Sequence, residues 1–296
     1  MKGFCFLLLL ILFSCSETTA PAEENKIRSL MEAGDFLKAE EEIRLQLKDD
    51  SSNIRLYVLL ADVLLKKENF QESFATLEKA RAMDTANVEV NLKLSQFYLF
   101  LKQFDKAIVK ANDVLKTDRN NAKAYFLKGM AFKDYGDTVK AFSNFQTAVE
   151  QDASFYEAFI QLGLLSSLRH DSAAVSYFNN ALLIKPGAGE ALYGKGWFYQ
   201  DHGRPVEALN AYHLIAPGQQ QYFNAQYNSG YLYFNAGNYS AALKYFNEAA
   251  RFRVAKAQYM KGVTFEALGQ KDSSRVYYHR CLAIDSNYAE ARKRLQ

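Results

Sequence analysis

Gly189, Gly194 and Lys195, in the stretch PGAGEALYGKGWFYQDHG (residues 186–203), have the spacing of a phosphate-binding G-x-x-x-x-G-K loop. Such a loop follows a strand, turns its backbone amides toward the phosphates, and needs a Ser or Thr after the lysine to hold a metal ion. Here Gly196 replaces that hydroxyl, no strand-like run precedes it, and the only tryptophan, Trp197, comes next. A helix through this stretch leaves no amides for a phosphate, so no nucleotide is expected. Other reactive side chains are equally sparse. His170, His202, His213 and His279 lack metal-ligand spacing and read as exposed rim residues. No G-x-S-x-G elbow or H-E-x-x-H helix occurs. Of the three cysteines, Cys5, Cys15 and Cys281, only the last lies in the body of the chain, where a lone thiol cannot form an internal disulfide. No enzyme activity, cofactor or metal site is expected.

The elements that would carry any site must come from the rest of the chain. Hydrophobic residues make up 49% of its 296 residues, enough to bury a core. A net charge of +3 leaves no electrostatic footprint for nucleic acid. Only four prolines occur, which suits a mostly helical chain because proline interrupts helix interiors. At the start, Lys2 precedes an apolar run, Phe4 to Phe13, that is about half as long as a bilayer-spanning helix requires. It reads as a secretion signal over residues 1–14. Leu12-Phe13-Ser14-Cys15 resembles a bacterial lipobox, which implies acylation of Cys15 and attachment to the cell envelope. Ser16 after the cysteine is compatible with delivery to the outer membrane. Residues 15–24 then read as the lipidated cysteine and a flexible polar tether.

Repeats organise the remainder. Gly129, Gly163, Gly196, Gly230 and Gly262 recur at intervals of 34, 33, 34 and 32 residues. Ala107, Ala141, Ala174, Ala208, Ala242 and Ser274 run in step with them, and Phe145, Phe178, Tyr212, Phe246 and Tyr278 follow four residues after each small residue from Ala141 onward. Residues four apart share a helix face, so the second half of each unit is a helix that packs closely through its small residue. Turn signals such as Tyr135-Gly136-Asp137, His202-Gly203-Arg204, Ala236-Gly237-Asn238 and Leu268-Gly269-Gln270 separate the halves. Each unit is expected to be helix, turn, helix.

This pattern resembles the tetratricopeptide repeat family. Asn228 to Ala250 (NSGYLYFNAGNYSAALKYFNEAA) carries the family's small residue Gly230, aromatic Tyr233, turn Gly237, small residue Ala242, aromatic Phe246 and Ala249, and Pro186 stands where the family often ends a second helix. Weaker copies lie upstream, with Ala61 and Ser95 in place of the first glycine and, farther up, Gly34 and Ala39 behind a poor first helix. The resemblance implies an all-α fold, a right-handed α-solenoid of about eight helix-turn-helix units over residues 25–286. Residues 287–296 then read as a solvating end helix. Cys281 occupies the place of Ala148, Ala181 and Ala249 and reads as a small buried hydrophobe.

In this family the concave groove is lined by residues three before, one after and four after the small residue of each first helix, offsets that share one face. They fall on Phe126, Met130 and Lys133; Ile160, Leu164 and Ser167; Tyr193, Trp197 and Gln200; Tyr227, Tyr231 and Phe234; and Tyr259, Val263 and Glu266. Aromatics concentrate in the last three units, so Tyr193, Trp197, Gln200, Tyr227, Asn228, Tyr231, Phe234 and Tyr259 form the candidate groove. Either these rings pack adjacent helices together, or they hold an extended peptide. The family's two-carboxylate clamp keeps only Asn228 and Lys256, with Tyr193, Trp197 and Met260 departing from it, so a neutral or apolar-aromatic segment is the expected ligand. The function this implies is a non-enzymatic scaffold or adaptor lipoprotein binding protein partners in the bacterial cell envelope. The alternatives are an assembly factor for outer-membrane or pilus machinery, or a glycan-binding groove.

Overall fold

A computed structural model describes residues 19–252 and 254–296, with side chains from Glu24 onward. The expected secretion signal and Cys15 lie outside the described residues. The described residues form seventeen α-helices and no strand. None of these helices is long and apolar enough to cross a membrane.

The chain divides after Arg119 into two compact units. The first holds α1 (Thr19–Glu32), α2 (Phe36–Asp49), α3 (Ile54–Lys66), α4 (Phe70–Met83), α5 (Val88–Phe100) and α6 (Phe104–Thr117). The second holds α7 (Ala122–Tyr135), α8 (Thr138–Gln151), α9 (Tyr156–Leu168), α10 (Ala173–Ile184), α11 (Gly189–Asp201), α12 (Pro205–His213), α13 (Tyr222–Asn235), α14 (Tyr239–Ala250), α15 (Ala255–Ala267), α16 (Lys271–Ile284) and α17 (Ala289–Leu295). Within each unit every helix packs on the next in sequence, so α1 to α16 make eight hairpins, the number expected from the repeats. The first helix starts at Thr19, inside the segment read as a flexible tether, and extends the poor first helix expected there. Helix-favouring Ala and Glu dominate this stretch, and Pro21 falls in the first turn, where its missing N–H costs no internal hydrogen bond.

Polar side chains close the helix ends. The Leu56, Glu72, Val90, Ala124 and Ala241 amides donate to Asn53, Asn69, Asn87, Asn121 and Asn238 at the starts of α3, α4, α5, α7 and α14. Between hairpins, Asp50, Asp152 and Asp285 accept the amides of Ser52, Ser154 and Asn287, two residues on, and fix the turns. Inside each hairpin one residue takes positive φ: Gly34, Glu68, Lys102, Gly136, His170, Gly203, Gly237 and Gly269 in succession. The glycine turns were readable in advance. Glu68, Lys102 and His170 were not, because a side chain in this conformation is strained by about 1–2 kcal/mol.

The periodic glycines explain the packing of the second unit. A Cβ built on Gly129, Gly163, Gly196, Gly230 or Gly262 would lie 2.6, 2.7, 2.6, 2.7 or 2.5 Å from a ring carbon of Phe145, Phe178, Tyr212, Phe246 or Tyr278. Real carbons do not approach so closely, so each first helix rests its bare backbone on the ring of its own second helix. Those rings are 0–1% exposed. The first unit reaches the same close fit with other volumes. At the equivalent positions it pairs Ile27 with Ile43, Ala61 with Leu77 and Ser95 with Ala111, all at most 3% exposed. In each pair an aliphatic or small second-helix residue stands where the second unit has a ring. In α17 Ala291 is buried, and Leu295 and the preceding Tyr288 pack against the cluster of Tyr278 and Cys281.

Two outcomes follow for stability. Gly230→Ala should destabilise by about 1–3 kcal/mol through overpacking against Phe246, outweighing the ~1 kcal/mol that alanine gains as a helix former. Adding Phe246→Leu, which copies the Ala61 and Leu77 pair, should make the double variant less unstable than the two single losses added together, by at least ~0.5 kcal/mol in a urea-unfolding cycle. Strict additivity would show that glycine and ring do not share one space. Lys102→Gly, relieving a strained turn, should raise stability by about 0.5–1 kcal/mol and with it the thermal midpoint.

Candidate functional site

The G-x-x-x-x-G-K stretch is helical from Gly189 onward. Gly194 and Gly196 abut two successive second-helix rings, Phe178 at 2.5 Å and Tyr212 at 2.6 Å from their would-be Cβ atoms, and Gly189 abuts the Gln219 and Gln221 side chains. Lys195 Nζ donates to Asn179 Oδ1 at 2.8 Å. The glycines serve ring packing and the lysine joins α11 to α10, so nothing in the stretch cradles a phosphate.

The candidate groove residues divide by position. Those three before the small residue are packing rings: Phe126, Tyr193, Tyr227 and Tyr259 lie 5.6, 5.7, 5.8 and 5.7 Å from the ladder rings Phe145, Tyr212, Phe246 and Tyr278. Burial raises the Tyr227 phenol above its ordinary pKa. Those four after it satisfy buried hydroxyls where the ladder ring is a tyrosine. Tyr212 donates to Gln200 Oε1 at 2.9 Å and Tyr278 to Glu266 Oε2 at 2.5 Å. Asn228 Nδ2 donates to the hydroxyls of both Tyr193 (3.2 Å) and Tyr212 (3.1 Å), which ties these four residues into one network. Burial drives the Tyr212 phenol far up, which keeps it a neutral donor. Phe234 packs on Tyr239 and beside Phe246.

Two candidates remain outside this packing. Among the described residues, the side chains of Trp197 and Tyr231, each one after its small glycine, make no hydrogen bond or ring pair. Trp197 is half-buried and Tyr231 is 41% exposed. Lys256, one of the two clamp-like residues, lies over the rings of Tyr227 (4.4 Å) and Phe223 (5.2 Å), and burial lowers its pKa. Its charge is spent on those rings. Cys281 is fully buried, and desolvation lifts its thiol to about 11, which suits packing and not nucleophilic attack.

The histidines depart from their sequence reading in one respect. All four are exposed, as expected. His170 and His202, however, are brought side by side, with ring centroids 5.5 Å apart and Asp201 between them. Spacing along the chain hides this pair because it crosses from one hairpin to the next, a separation that only the packing of α9 on α11 closes. The sequence signal was a histidine in each of two successive repeat turns. His213 is stacked flat on Tyr245, and burial lowers its pKa.

Sequence models of the tetratricopeptide repeat match residues 64–130, 223–253 and 255–288. BBSome complex member BBS4 from Bos taurus is 29% identical over 166 residues, which are 56% of this chain and 32% of that one. Among solved structures, the C-terminal part of a TPR repeat-containing protein from Cytophaga hutchinsonii superposes with a TM-score of 0.65 at 16% identity, over 82% of this chain and all of that one. A chain of the APC/C hetero-tetramer Cut9-Hcn1 superposes at 0.58 and 16% identity, over 94% of this chain and 55% of the other. At such identities the structures share the fold alone. The chain spans only about a third of the curated relative and about half of the Cut9-Hcn1 chain. The matched segments take in hairpins of both units, the glycine-over-ring register of the last two among them, and over these segments the chain carries tetratricopeptide repeats.

Proposed function

We propose that the protein is a non-enzymatic adaptor that holds an extended protein segment along the common face of α11 and α13, with Trp197 and Tyr231 as its anchors. A tetratricopeptide array is a protein-interaction scaffold, and the separation of packing rings from unengaged rings supports this choice of anchors. Large aromatic side chains left without partners supply contact area at low entropic cost, together with a polar handle. The surrounding carboxylate and lysine are already engaged: Glu266 binds Tyr278 and Arg294, and Lys256 lies on its two rings. A neutral, apolar-aromatic segment fits such a surface better than a charged tail. We extend the proposal to the N-terminus, where the residues up to Cys15 carry the pattern of a lipid attachment signal and would tether the array to the bacterial envelope, with the outer membrane as its address.

Trp197→Ala and Tyr231→Ala should keep the parent's helical circular dichroism yet bind a partner recovered from detergent-solubilised membranes about 30-fold more weakly, the equivalent of ~2 kcal/mol per anchor. Phe246→Ala, by contrast, should lose roughly 3 kcal/mol of stability. Equal recovery by the parent and both groove variants would sink the groove reading. For the anchor, the parent should incorporate labelled fatty acid and partition into detergent, and Cys15→Ala should do neither. Labelling that survives the substitution would refute attachment at Cys15.

A further inference from the structure

The end of α11 and the turn after α9 place two imidazoles and a carboxylate in one cluster. His170 Nδ1 lies 3.0 Å from Asp201 Oδ2, and His202 Nδ1 lies 3.9 Å from the same oxygen. A donor atom from each of the three residues lies within 4.8 Å of the other two. A hydrogen bond also sets the tautomer of one imidazole. His202 Nδ1 is 2.8 Å from the Phe198 carbonyl oxygen, which can only accept, so that nitrogen carries the proton and Nε2 keeps its lone pair. The ring is held in place by stacking on Phe198, 4.0 Å between centroids. His170 turns Nδ1 toward the carboxylate at 3.0 Å, a separation that two ligands of one ion also take, so an ion there would replace the shared proton. An imidazole whose far N–H is bound to a backbone carbonyl, as that of His202 is, is the usual second shell of a metal-bound histidine.

Nearby cations are turned aside. Arg169, next to His170, donates to the Thr138 carbonyl and lies over the Phe142 ring. Arg204 pairs with Glu207 and covers Tyr199. Asp201 is therefore the charge that faces the two imidazoles. We propose that His170, Asp201 and His202 bind one divalent transition-metal ion of the zinc class. Two imidazoles with one carboxylate suit zinc, nickel or copper and are poor ligands for calcium or magnesium. The ion would bridge successive hairpins, the α9–α10 turn to the end of α11. It would also sit on the helix face that carries Trp197, four residues before Asp201. The three side chains are 70%, 34% and 27% exposed, so solvent or a partner side chain can fill the remaining coordination positions.

The test uses the full chain without a histidine tag, titrated calorimetrically with zinc chloride. Two variants remove a ligand while sparing the fold. His170→Gly gives that turn the residue present at five of the eight equivalent positions, and His202→Phe keeps the ring stack on Phe198. The expected result is one zinc ion per chain, a higher thermal midpoint with zinc, and affinity reduced by at least about tenfold in each variant. His213→Ala and His279→Ala should bind zinc as the parent does. As a second readout, cupric ion should quench Trp197 emission in the parent and lose that effect in His202→Phe. No zinc binding at micromolar concentrations would overturn the proposal, as would stoichiometric binding that persists in both His170→Gly and His202→Phe.

Discussion

The second unit depends on one steric contact, the seating of first-helix backbone directly on a buried aromatic ring. With no Cβ between them, helix and ring approach to a distance that any side chain would forbid. That contact sets the spacing of each hairpin, and it is shared onward. Phe178 lies under Gly163 of its own hairpin and against Gly194 of the next, so one ring fixes two first helices. Because such rings are fully buried, adding or removing a single carbon at either partner is felt as overpacking or as a cavity. The apparent phosphate loop is a by-product of this demand for glycine at two adjacent ring contacts.

The eight hairpins were legible in the sequence because glycine, small residue and ring recur in step, and periodicity of that length has no other simple cause. The first unit was fainter for a physical reason. Ile27 with Ile43 and Ser95 with Ala111 fill the equivalent buried positions without a glycine or a ring, so the position persists while its sequence signature fades. Turns at Glu68, Lys102 and His170 were illegible because the expected glycine is absent and tertiary packing imposes the left-handed conformation instead. The cluster of His170, Asp201 and His202 was illegible because its members belong to different repeats, while spacing rules look within one.

The sequence offsets name the candidate groove residues without resolving their roles, since residues three before and one after the small residue look alike in a sequence rich in tyrosine. Packing separates them. The earlier position leans over the ladder ring of its own hairpin in four hairpins of the second unit, at centroid distances of 5.6 to 5.8 Å, and is part of the core. The later position packs on the ladder cluster as Met130 and Val263, but in α11 and α13 it carries Trp197 and Tyr231, which form no ring pair. Aromatic enrichment on this face therefore has two causes, of which only one bears on binding.

The third groove position shows how the core reaches into the face. Where the ladder ring is Tyr212 or Tyr278, the residue four after the glycine is Gln200 or Glu266, and each accepts the buried hydroxyl. Where the ring is Phe145, Phe178 or Phe246, no hydroxyl needs a partner, and the same position holds Lys133, Ser167 or Phe234. Lys133 then donates to Gln161, Ser167 to the Gly163 carbonyl, and Phe234 packs on Tyr239. An unpaired buried hydroxyl costs about 1–3 kcal/mol, so the choice of ladder ring dictates which groove residues must be acceptors. Glu266 carries this furthest. Its second oxygen takes Arg294 of α17 at 2.8 Å, so the acceptor that satisfies the last ladder tyrosine also fastens the end helix. The polar residues on this face are thus set by the core beneath them, and only side chains that the core does not claim are left to choose a partner.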